Sequence, residues 1–199
     1  MQSTREPTVV IVPGLRDHVP DHWQTELAAE LDRVRIVPPL EQDTLSLATR
    51  VGVLDDVLSQ LSGPIVLVAH SAGVMITVHW AQHSDREIHG ALLATPADIE
   101  QPFPPGYPST AELDGHGWLP IPRRRLPFPS LVAASSTDPL ASVRRVAGMA
   151  EAWGSRLVEL GDVGHLNPAS GFGPWDGARV LLDEVVEMGR RAVQAEVVR

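Results

Sequence analysis

A chain of 199 residues with 43% hydrophobic and 21% charged residues is long enough to bury one core and too apolar to be disordered, so a single domain spanning 1–199 is expected. Its net charge of −9 and pI near 5.3 argue against binding a phosphate backbone, and the one basic run, Arg123-Arg124-Arg125, is bracketed by prolines and reads as a solvated loop. No cysteine is present, which excludes disulfides, thiolate metal sites and a cysteine nucleophile and is compatible with a reducing cytoplasm, where the protein is expected to reside.

In chain order, Thr8 to Val12 reads as a buried strand ending at Pro13-Gly14. A helix follows over about Asp21 to Arg33, then a short strand Arg35 to Val37 stopped by two prolines. Leu47, Val51, Leu54, Leu58 and Leu61 are spaced as one helix face within Thr44 to Leu61. Ile65 to Ala69 is continuously apolar, as expected of a central parallel strand covered on both faces. Helix Ala72 to His83, strand Gly90 to Ala94, strand Ser130 to Ala134, helix Pro139 to Trp153 and strand Arg156 to Leu160 follow. A last helix spans about Pro174 to Val198, with Pro174 suited to a first turn. Strands alternating with helices predict a mostly parallel sheet of about six strands flanked by helices. The stretch from about 97 to 129 is crowded with prolines and nearly aperiodic, and reads as a surface excursion forming a short lid. The longest apolar tract, Ile65 to Ala81, is interrupted by His70, Ser71 and His79, so no membrane span is expected.

The chemistry centres on Val68-Ala69-His70-Ser71-Ala72-Gly73. A serine between a buried strand and a helix has the setting of a nucleophile elbow, whose tight turn requires small residues two before and two after it. Gly73 meets this, and Ala69 stands where the usual pattern has glycine. A chain with 16 glycines offers about one Ser-x-Gly by chance, so the weight lies in its position and not in the pattern. The bland alternative is an ordinary βα turn.

A serine hydroxyl needs a base, and the base an orienting carboxylate. His165, in a Gly-flanked loop beyond the last strand, is the candidate base; a helix-capping histidine is its alternative. Asp138, beyond the penultimate strand, is the candidate acid, although Asp before Pro139 is also a good N-cap. Asp98 is the runner-up, and Asp162 lies too close in sequence to His165 to reach the far ring nitrogen. The backbone N–H groups of Ala72 and of Leu15, with Arg16 as substitute, are candidate oxyanion donors. Trp118 either lines a substrate pocket or packs the lid down. His70 is expected to turn away from Ser71 and pack. His18 and His22, with Asp17 and Asp21, have zinc-like spacing, but Pro20 intervenes and no third ligand is evident, so no metal is expected.

The elbow Ala69 to Gly73, Leu126-Pro127-Phe128-Pro129-Ser130 leading into Asp138-Pro139, Trp153-Gly154-Ser155, and Gly164-His165-Leu166-Asn167 through Ser170-Gly171-Phe172-Gly173-Pro174-Trp175 together resemble the retinoblastoma-binding protein 9 and YdeN family of small serine hydrolases. The resemblance spans nearly the whole chain. It implies a compact α/β-hydrolase lacking that fold's first strands and a triad at Ser71, Asp138 and His165, the assignment already reached from the residues. The expected activity is a carboxylesterase acting on small or medium acyl esters, without a metal or organic cofactor. A thioesterase or amidase with the same triad, or a non-catalytic binding protein on the same fold, are the alternatives. Small-molecule esters are the expected partners, without nucleic acid or membrane; the sequence does not give the oligomeric state.

Overall fold

The structure, a computed structural model, describes residues 6–197 and is organised by one sheet. Its strands are β1 (Thr8–Val12), β2 (Val34–Ile36), β3 (Ile65–His70), β4 (Gly90–Ala94), β5 (Ser130–Ala134) and β6 (Arg156–Glu159), in spatial order β2-β1-β3-β4-β5-β6. Every pairing is parallel, where the alternation of elements predicted mostly parallel. β3 lies inside the sheet, with Val12 and Leu93 flanking Ala69, and all six of its residues are buried. Its apolar run is explained by the two layers it separates. Val10, Val12, Leu67 and Ala69 face one core, while Val9, Ile11, Val66 and Val68 face the other.

The first core is closed by α2 (Leu47–Ser59), α3 (Ala72–Trp80) and α5 (Val143–Trp153), and the second by α1 (Trp23–Ala29) and α6 (Gly177–Val197). Several helices start later than the apolar spacing suggests, and capping explains where. His22 accepts the Gln24 N–H and caps α1, so His18 and His22 do not share a helix face. Ser142, not Asp138-Pro139, caps α5, because the chain first makes a turn in which Leu140 N–H bonds the Asp138 carboxylate. α6 begins at Gly177 and not at Pro174; Trp175 first turns inward to meet the Trp23 ring edge-on at 4.9 Å. The expected end of this helix at Val198 lies outside the described residues. No helix among the described residues is long and apolar enough to cross a membrane.

The proline-rich segment is more ordered than its composition suggests. It contains α4 (Thr110–Gly115), begun by a capping box between Ser109 and Glu112 that is present in the sequence as Ser-x-x-Glu. Leu113, Trp118, Ile121, Leu126 and Phe128 are buried and join the first core. Its two ends are clamped together by charge. Arg145 donates to both oxygens of Asp98 (2.6 and 2.9 Å) and to Glu100, which also pairs with Arg123 at 2.8 Å.

Candidate active site

The strand-to-helix turn after β3 holds Ser71 at φ 57° and ψ −123°, a conformation costly for a residue with a side chain. The Ser71 N–H bonds the Ala94 carbonyl at 3.1 Å, and α3 starts at the next residue. Glycine is required at 73 because a Cβ there would stand 2.2 Å from the Val12 carbonyl oxygen. No such constraint acts at 69. The Ala69 methyl is fully buried in the first core, so alanine is accommodated and the turn keeps its strained geometry. Gly14, at the end of β1, closes over the same turn: a Cβ there would lie 3.3 Å from Ser71 Cβ.

The loops beyond β5 and β6 bring Asp138 and His165 to this serine. His165 Nε2 lies 2.8 Å from Ser71 Oγ, and its Nδ1 lies 2.9 Å from both Asp138 carboxylate oxygens. The His165 and Asp138 side chains are only 4% and 2% exposed, so the pair interacts largely shielded from water. With Nδ1–H donating to the carboxylate, Nε2 is left to accept the serine proton. Asp138 also accepts the Leu140 N–H at 2.8 Å, so the local turn it closes and its contact with the imidazole coexist. Asp98, the alternative acid, has both oxygens engaged by Arg145, and Asp162 accepts the Ser136 hydroxyl at 2.5 Å.

Backbone and hydroxyl contacts hold the His165 loop. His165 N–H donates to Ser170 Oγ (3.0 Å) and Gly164 N–H to Thr137 Oγ1 (3.0 Å), while Ser135 Oγ accepts from both Thr137 and Val163 (3.3 Å each). His70 packs, as expected, but also does more: its Nε2–H donates to the His165 carbonyl at 2.9 Å. Its ring lies 5.0 Å from that of His165 and 4.6 Å from that of His22. Burial above all, then the neighbouring His165 and His22, holds His70 well below the usual histidine range. Burial, followed by His165 and His18, lowers His22 to about 4. Near neutrality both rings are uncharged.

The segment Pro13 to Asp17 forms the opposite lip. Asp17 N–H closes a turn onto the Gly14 carbonyl at 3.0 Å. The Leu15 N–H has no hydrogen-bond partner among the described residues, and the Ala72 N–H, at the first position of α3, has no intrahelical acceptor. Leu15, Arg16, Ser71, Ala72 and His165 all border one cavity of about 320 Å³. Ile99, Phe103, Leu113, Trp118 and Leu140 supply an apolar wall, and His18, His22 and Asn167 a more polar one. Trp118 borders the cavity, and it ties the proline-rich segment down, its Nε1–H donating to Leu45 O at 2.7 Å and its carbonyl accepting from His79 Nε2 at 3.1 Å. Among the described residues no three His, Asp or Glu side chains gather as metal ligands.

The residues missed from sequence are His70 as a donor, Ser170 and, on the far side of the Leu15 loop, Arg50. Only Arg50 leaves a local signal. It is a charged residue on the apolar face of α2, between Leu47 and Leu54, and it is 5% exposed.

A parallel sheet carrying a strained serine at a strand–helix turn, with later loops returning over it, defines the α/β-hydrolase fold. The chain belongs to the serine hydrolase family, whose model matches residues 9–184. It is similar to the crystal structure described as a YdeN-like hydrolase of Pectobacterium atrosepticum, at 30% identity and a TM-score of 0.75 over 93% of this chain and 91% of that one. The ydeN gene product of B. subtilis superposes with a TM-score of 0.74 at 20% identity, over 92% and 100% of the two chains. A monoacylglycerol lipase of Paleococcus ferrophilus shares the fold at 14% identity, a TM-score of 0.67 and 90% and 94% coverage. No match was found among curated proteins.

Proposed function

We propose that the protein is a carboxylic ester hydrolase that cleaves small or medium acyl esters through Ser71, His165 and Asp138. The unbroken hydrogen-bond line from Asp138 through His165 to Ser71, ending at a cavity with an apolar wall, carries this reading. As Ser71 Oγ bonds the ester carbonyl carbon, its proton passes to His165 Nε2. The charge that builds on the carbonyl oxygen is taken by the Leu15 and Ala72 N–H groups; one such donor is worth about 10²–10³ in rate. The imidazolium on His165 faces the Asp138 carboxylate, and the neutral rings of His22 and His70 set no second cation against it. His165 then returns the proton to the departing alkoxide as the carbon–oxygen bond breaks, leaving an acyl-serine. Water, deprotonated by His165, attacks this ester, and the acid leaves as Ser71 regains its proton.

A fluorophosphonate probe tests the chemistry. It labels the wild type and not Ser71→Ala, which stays folded; a folded wild type that resists labelling rejects the enzyme reading in favour of a binding protein. Turnover of matched ester, thioester and amide substrates tests the bond class. The ester is expected to react fastest, and a thioester or amide preference would reassign the substrate while keeping the triad.

A further inference from the structure

Among the described residues Arg50 is the one buried arginine, and it sits where α2 passes beneath the Leu15 loop. Arginine is almost never fully buried unless paired, and all three arms of this one are used. Nε donates to the Thr44 carbonyl (2.8 Å), Nη1 to Asp17 Oδ1 (2.8 Å) and Nη2 to the Leu15 carbonyl (3.4 Å). Two of these partners belong to the lip that borders Ser71. Asp17 is held at φ 54°, in the left-handed region that residues with side chains avoid. A strained residue persists only when its surroundings hold it, and the ion pair with Arg50 is the side-chain contact that does so.

The consequence follows from peptide planarity. A trans peptide points its C=O and N–H in opposite directions. Closing the Gly14 carbonyl onto Asp17 therefore turns the Leu15 N–H away from the turn, and seating the Leu15 carbonyl on Arg50 does the same for the Arg16 N–H. Gly14, in turn, is packed against Ser71. We infer that Arg50 is a positioning residue that locks the 13–17 turn in its oxyanion-binding form, and so acts on the transition state without touching substrate. The inference rests on the acyl-transfer reading above.

The test uses the full chain and p-nitrophenyl butyrate. Arg50→Met keeps much of the apolar stem and removes the fork. Its kcat should fall about 30-fold, within the range of a lost oxyanion donor, while KM stays within about threefold. Affinity for butylboronic acid, which forms a tetrahedral adduct on the serine, should fall in step with kcat. If this variant does not fold, Arg50→Lys decides. One ammonium can hold Asp17 but not the Leu15 carbonyl as well, so kcat should fall about fivefold at unchanged KM. A folded variant with wild-type kcat, or with its loss in KM alone, overturns the inference. Failure of the acyl-transfer reading shows differently, as a wild type that the fluorophosphonate probe does not label.

Discussion

The turn at Ser71 and the proline-rich segment above it are built on opposite principles. At the turn the backbone decides: Gly73 and Gly14 are small because carbonyl oxygens and the serine itself occupy the space where a side chain would go. In the segment from 97 to 129 side chains decide. Trp118 is anchored at both its ring nitrogen and its carbonyl, and a cluster of two carboxylates and two arginines ties the ends together. Turn sterics leave a pattern of small residues at fixed offsets, which is legible locally. Anchors between residues dozens of positions apart leave none. Under the acyl-transfer proposal the difference would also divide labour, the turn presenting the reacting atoms and the segment shaping the space beside them.

Four measurements break or sharpen that contrast. Asp138→Asn, on the reacting side, should lower kcat by about 10⁴ by misorienting the imidazole. Asp98→Asn, in the segment's ion cluster, should leave kcat within a few-fold. The reverse result would exchange the two carboxylates' roles. Gly73→Ala puts a methyl carbon 2.2 Å from the Val12 carbonyl oxygen and should cost about 4 kcal/mol or more in denaturant unfolding. A near-neutral change would show that the turn can relax and that its sterics do not govern it. Trp118→Ala removes a fully buried ring and should cost about 3 kcal/mol, with KM raised more than kcat is lowered. An equal loss of kcat at unchanged KM would move Trp118 from the wall of the cavity to the machinery.

The smallest effect is on pH. Unfolded, His22 takes a proton near its ordinary 6.5; folded, it takes one only near 4. Acid therefore favours the unfolded chain over that window. The contribution of His22 is complete above pH 6.5, and stability should decline by roughly 2 kcal/mol as pH falls towards 4. His70, lowered in the same direction, adds to the slope. His22→Gln should flatten the decline, and an unchanged slope would remove His22 as its source.

Much of the fold was legible because it is written in short-range patterns. The Thr8–Val12, Gly90–Ala94 and Ser130–Ala134 strands lie where their short, mostly apolar runs predict, since a strand covered on both faces is built of near-continuous apolar residues. Helix starts were less legible, because a distant partner such as Trp23 for Trp175 competes with the local signal at Pro174. The capping box at Ser109 is written in the sequence as Ser-x-x-Glu, but the surrounding prolines obscure it.

The order of Ser71, Asp138 and His165 along the chain, each beyond a strand, could be read from sequence alone, because a parallel sheet delivers all its C-terminal loops to one edge. What only the tertiary structure decided are the relations without a sequence period. Asp138, and not Asp98, meets the imidazole because Arg145 from α5 claims the other carboxylate. His70 reaches the His165 carbonyl across 95 positions, and Arg50 reaches the Leu15 loop across 35. Such contacts depend on where separate elements come to rest, and that is set by the packing of the whole core.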